Sequence, residues 1–143
     1  MTDTVMDGVR RAQEMNVGGD PDGARALLEQ LWPRAGDAMQ RCWIAHYLAD
    51  LQGSVEQELR WDEIALAAYR EIGDGDRAFL PTLHLNLADV HRRAGHDEQA
   101  RRHLGEAVAV LDALPDDDYG ALIRGAAGKV RAALGTTAPL SPA

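Results

Sequence analysis

Cysteine, phenylalanine and lysine each occur once in the 143 residues, as Cys42, Phe79 and Lys129. A lone cysteine excludes an internal disulfide and any zinc site built on paired thiolates of one chain, and it fits a reducing compartment. Aromatic residues make up only 5%, so a core has to come from close helix approach around alanine rather than from stacked rings. No apolar run approaches the roughly 18 residues that a membrane span requires, and the opening MTDTVMDGVRR holds no apolar signal-peptide core. A cytoplasmic protein with no membrane partner is expected. Basic residues number 15 against 23 acidic ones, for a net charge of −8. That balance argues against gripping nucleic acid, which needs clustered Lys and Arg to neutralise phosphates. The basic stretch at Arg92, Arg93, Arg101 and Arg102 reads as solvated surface. A phosphate-binding glycine loop, a serine elbow and a zinc signature are all missing, and no cofactor is expected. The run Asp116-Asp117-Asp118 lacks the alternating ligands and central glycine of a calcium loop and reads as a helix cap.

What the chain does have is repeated punctuation. Gly19 and Gly53 lie 34 residues apart and Gly95 a further 42, and aligning them puts Leu31, Ala65 and Ala107 in one column and Ala24, Glu58 and Ala100 in another. Helices are predicted over Val5–Asn16, Pro21–Arg34, Asp37–Gln52, Val55–Ile72, Pro81–Ala94, Asp97–Leu114 and Asp118–Leu134. Asp20-Pro21 is an N-cap followed by proline at the first helical position, where its missing N–H costs nothing. Ala24, Leu27, Leu28 and Leu31 then fall on one helical face. Gly73-Asp74-Gly75-Asp76 breaks the pattern, and the segment up to Pro81 contains most of the extra residues of the longer spacing. The tail 136–143 is expected to be disordered.

A 34-residue period of helix, turn and helix resembles the tetratricopeptide repeat. The likeness is closest in Asn86-Leu87-Ala88, Gly95, Ala100, Leu104 and Ala107, while the segment with Ala12, Gly19, Ala24 and Leu28 has Gly8 and Arg11 where larger apolar residues are usual, so its outer helix is expected to fray. The resemblance covers about residues 5–112. It implies an all-α helical-repeat solenoid in a single domain over 1–135, with helix pairs at about 5–34, 37–72 and 81–114 and a capping helix at 118–134. It also implies a concave groove that binds a protein or peptide partner, lined here by Trp43, Tyr47, Asp50, Leu85, Asn86, Asp89, Arg92 and Arg93. Members that clamp a chaperone's C-terminal carboxylate use Lys, Asn and Arg at groove columns that hold Val9, Gln13, Ile44, Thr82 and Asn86 in this chain, so that role is not implied.

The second pair departs from the pattern. In one register His46 takes a small-residue column, and Glu58 and Asp62 take the facing columns of the next helix. His46 and Asp50 are one turn apart, as are Glu58 and Asp62. A histidine and carboxylates converging between two helices could serve as a general base or bind a divalent metal, so His46, Asp50, Glu58 and Asp62 form an alternative catalytic set. His84 could join His46, Glu58 and Asp62 as metal ligands. A register shifted by three residues instead aligns Leu48-Ala49-Asp50 with Leu87-Ala88-Asp89, turns His46 away and leaves the acids on the surface. His91 reads as a core residue, and His96 and His103 as turn and surface residues without ligand spacing. Trp43, Trp61 and Tyr47 read as packing, or as pocket walls if the His46 set is a site. The leading expectation is a non-catalytic interaction module, with a homodimer plausible because three repeats leave apolar end surfaces. The alternative is a small helical enzyme or small-molecule or metal binder.

Overall fold

The computed structural model describes residues 4–73 and 78–135. The expected break at Asp74-Gly75-Asp76 and the expected disordered tail at 136–143 lie outside them. The described residues form seven α-helices and no strand: α1 (Thr4–Val17), α2 (Pro21–Leu31), α3 (Ala38–Asp50), α4 (Val55–Ile72), α5 (Leu80–Arg93), α6 (Asp97–Ala109) and α7 (Asp118–Ala133). None of these helices is long and apolar enough to cross a membrane.

Local chemistry sets the helix ends. The carboxylate of Asp20 accepts from Gly23 N at 2.9 Å, with Pro21 opening α2. Asp37 caps α3 through Gln40 N at 2.8 Å, Ser54 caps α4 through Gln57 N at 3.2 Å, and Asp117 caps α7 through Gly120 N at 2.9 Å. Each cap satisfies one amide that the first helical turn leaves without a partner, worth about 1 kcal/mol. Two helices stop earlier than predicted. Pro33 has no N–H to continue α2, and Trp32–Arg34 tightens into a 3-10 turn. Ahead of Pro115, the end of α6 likewise passes into a 3-10 turn at Leu111–Ala113. Gly19 and Gly95 adopt φ of 93° and 84°, and the following amides of Asp20 and His96 both bond back over five residues at 2.8 Å, to Met15 and His91. These two turns share one left-handed geometry that glycine adopts without strain. Gly53 does not adopt it, so the 34-residue alignment matches position but not turn conformation.

The chain divides into two compact units, 1–73 and 74–143, where the expectation was one domain over 1–135. The division falls at the start of the inserted stretch. In the first unit α1 packs on α2 and α3 on α4, and α3 also touches α1 and α2. Its core is Val5, Val9 and Ala12 of α1, Ala24, Leu28 and Leu31 of α2, and Ile44 and Leu48 of α3. Ala12 and Ala24 are fully buried, small enough to let the two backbones approach. The α1 glycine that departs from the repeat has a local reason: a Cβ on Gly8 would lie 2.7 Å from Leu31 Cδ1. The missing side chain makes room for a buried leucine, and α1 is a regular helix over the whole stretch expected to fray. Trp32 and Trp61 meet edge to face at 5.0 Å, tying the end of α2 to α4.

In the second unit α5 packs on α6, and α7 lies against both. The shared core is Leu85 and Ala88 of α5, Ala100, Leu104 and Ala107 of α6, Leu114, Ile123, Ala127 and Val130 of α7, and Leu134 at the C-cap of α7. The Tyr119 hydroxyl meets Thr82 Oγ1 at 2.7 Å and donates to the Ala78 carbonyl at 3.2 Å, anchoring α7 to the start of α5.

Candidate functional site

Two arrangements could carry function, one in each unit. In the first, Met6, Val9, Arg10 and Gln13 of α1 face Trp43 and Tyr47 of α3 across a cleft of about 520 Å³. The four α1 residues are spaced i, i+3, i+4 and i+7 and so share a helix face. Trp43 and Tyr47, one turn apart on α3, stack at 5.7 Å with planes 25° apart. Both rings are half-buried, which fixes them while leaving a face accessible. Burial, and after it the neighbouring charge of Asp50, raises the Tyr47 pKa, so its hydroxyl stays protonated.

His46 lies behind these rings. It is 9% exposed, 6.1 Å from Trp43 and 5.0 Å from Tyr47 between ring centroids. Burial lowers its pKa to about 4, so it is neutral at physiological pH. Asp62 is also buried, Glu58 half-buried and Asp50 exposed on the last turn of α3. Among the described residues, the histidine, cysteine and carboxylate set that brings three ligand atoms within 4.8 Å of one another is not His46, Glu58 and Asp62, with or without His84. It is His84, His103 and Glu106. The helix that carries His46, α3, is buried around most of its circumference at Cys42, Ile44, Ala45, His46, Leu48 and Ala49. His46 and the Leu48-Ala49 pair are thus both inside, whereas the two sequence registers offered them as alternatives. Cys42 is buried too, which raises its thiol pKa to about 11.

Of the groove residues expected in the second unit, Leu85 is turned into the core with α7 and presents nothing to a partner. Asn86 is half-buried. Asp89 binds Arg92 at 2.9 Å and Arg93 at 3.0 Å. Partial burial pushes its pKa up, but the two arginines outweigh that and hold it below the usual carboxylate value. Arg92, Arg93 and Asp89 therefore form a paired surface network.

The second arrangement gathers four of the five histidines. His84 Nδ1 lies 3.1 Å from His103 Nδ1, and His84 Nε2 lies 3.2 Å from Glu106 Oε2. His91 stacks on His103 at 5.5 Å with planes 8° apart, and its Nδ1 is 3.1 Å from His96 Nδ1. The side chain of His84 is 5% exposed and that of Glu106 44%, so the cluster is closed at one end and open at the other. His103 and Glu106 had been missed as partners of His84. The usable signal was distance from the turn: in a helical hairpin, residues equally far from the turn face each other, and His84 lies eleven positions before Gly95 and Glu106 eleven after. Comparison with family models, curated proteins and solved structures finds no match to this chain.

Proposed function

We propose that this chain is a tetratricopeptide-like interaction module that holds a short extended segment of a partner protein in the α1–α3 cleft and performs no catalysis of its own. The observation that carries this reading is the stacked Trp43–Tyr47 pair facing Met6 and Val9 across about 520 Å³. Rings already ordered by stacking lose little side-chain entropy when a ligand covers them, and they present a broad apolar contact. The polar ends of Arg10 and Gln13 border the same space and can bond a peptide backbone.

The segment this cleft suits has one large apolar side chain flanked by basic residues. The apolar group fills the space between the helices. The basic flanks answer the net charge of −8 and the exposed Asp50 carboxylate beside Tyr47. The repeat reading is supported by successive helices packed in pairs and by the common left-handed turns at Gly19 and Gly95. A cytoplasmic location accompanies it, and exposed apolar side chains at Val17 and Leu122 support pairing of two copies.

Selection of a random peptide library on the full chain tests the proposal, followed by affinity measurement on Tyr47→Ala and Trp43→Ala. Enriched peptides are expected to share an apolar anchor with basic neighbours and to lose at least about tenfold in affinity, roughly 1.4 kcal/mol, for either variant. Failure to enrich any peptide, or equal affinity in both folded variants, refutes the cleft as the binding site.

A further inference from the structure

We propose that His84, His103 and Glu106 form a binding site for one divalent transition-metal ion. The proposal concerns the second unit and is independent of the peptide cleft in the first. The α5–α6 hairpin supplies the ligands from two sides. His103 and Glu106 stand three residues apart on α6 and share one face, and His84 comes from the first turns of the facing helix. One ring nitrogen from each histidine and one carboxylate oxygen lie within 4.8 Å of one another. Two nitrogens on a common tetrahedral ion, each about 2.0–2.1 Å from it, are separated by about 3.3 Å. The two Nδ1 atoms already stand 3.1 Å apart. Glu106 Oε2 lies 3.2 Å from the other ring nitrogen of His84, so joining the same ion takes a rotamer change of its exposed side chain.

The donor set selects the class of ion. Two imidazoles with one carboxylate suit zinc, cobalt, nickel or copper, whereas calcium and magnesium require a shell of oxygens. Burial holds His84 in place, and the exposed Glu106 carboxylate leaves an entry path and a position for water as a further ligand. Around this core His91 stacks flat on His103 and is itself in contact with His96, which fixes the plane of the ligating ring. Two facing Nδ1 atoms at 3.1 Å must share one proton between them. An ion taking both lone pairs shifts that proton to the other nitrogen of the donating ring, a tautomer change that leaves both imidazoles neutral.

Calorimetric titration of the full chain with zinc chloride, and cobalt titration followed by visible absorption, test the site. The wild type is expected to bind one zinc ion with micromolar affinity and to show cobalt d–d bands without the charge-transfer absorption of a thiolate ligand. His103→Ala and Glu106→Gln change side chains that are half-buried and exposed, so the fold is kept, which circular dichroism checks. Each is expected to weaken zinc by at least about tenfold, while His46→Gln in the other unit leaves the affinity unchanged. Absence of binding up to about 1 mM zinc overturns the proposal, as does undiminished affinity in folded His103→Ala and Glu106→Gln.

Discussion

Acid should weaken the first unit through His46. The folded chain leaves this imidazole without a proton down to about pH 4 because burial disfavours its charged form. The unfolded chain takes the proton up near 6.5, the ordinary histidine value. Between those values the unfolded state holds more protons, so stability is complete above about 6.5 and is lost as pH falls toward 4. Over the whole window the linkage amounts to about 3 kcal/mol at 1.36 kcal/mol per pH unit, of which about 2 kcal/mol falls between about pH 7.5 and about pH 5. At 9% exposure the ring is too shielded for solvent to erase most of this. Urea unfolding at the two pH values, followed by tryptophan fluorescence, is the appropriate assay, because Trp32, Trp43 and Trp61 all belong to the first unit. Other histidines and carboxylates also titrate, so the informative quantity is the loss in wild type minus the loss in His46→Gln, which keeps a neutral polar side chain of similar length. That difference should be about 2 kcal/mol. Losses equal to within about 0.5 kcal/mol would show that His46 is solvated or that its charged form is stabilised, and the argument from burial would fail.

Two further outcomes follow from packing. A Cβ on Gly120 would lie 2.0 Å from the Pro115 carbonyl oxygen, a backbone atom that cannot swing aside, so Gly120→Ala should lower stability by about 1–3 kcal/mol despite alanine's better helix propensity. Chemical denaturation checks this, and a stabilised variant would contradict it. Cys42 is buried with its thiol pKa raised to about 11, so native protein should resist iodoacetamide at neutral pH and label fully once unfolded. Mass spectrometry distinguishes the two, and rapid labelling of the native chain would refute the burial.

The helices were legible in the sequence because their determinants are local. Asp20-Pro21, Asp37, Ser54 and Asp117 mark starts through side chains that bond amides three residues on, and proline with glycine marks the stops. Alanine spacing likewise announced close helix packing, and Ala12, Ala24, Ala88, Ala100 and Ala107 are fully buried. The aromatic part of the candidate site, Trp43 and Tyr47 one turn apart, was also visible, since one helix places both. Tertiary structure decided the rest. Whether His46 is inside depends on how many neighbours enclose α3, and a helix buried around most of its circumference leaves no amphipathic stripe to read. Leu85 became core rather than groove because α7 covers it. Pairing His84 with His103 and Glu106 depends on the rotation of two helices about their axes, and an error of one residue turns a side chain by about 100°. Composition and spacing set which helices form; the packing of one helix on another set which side chains meet.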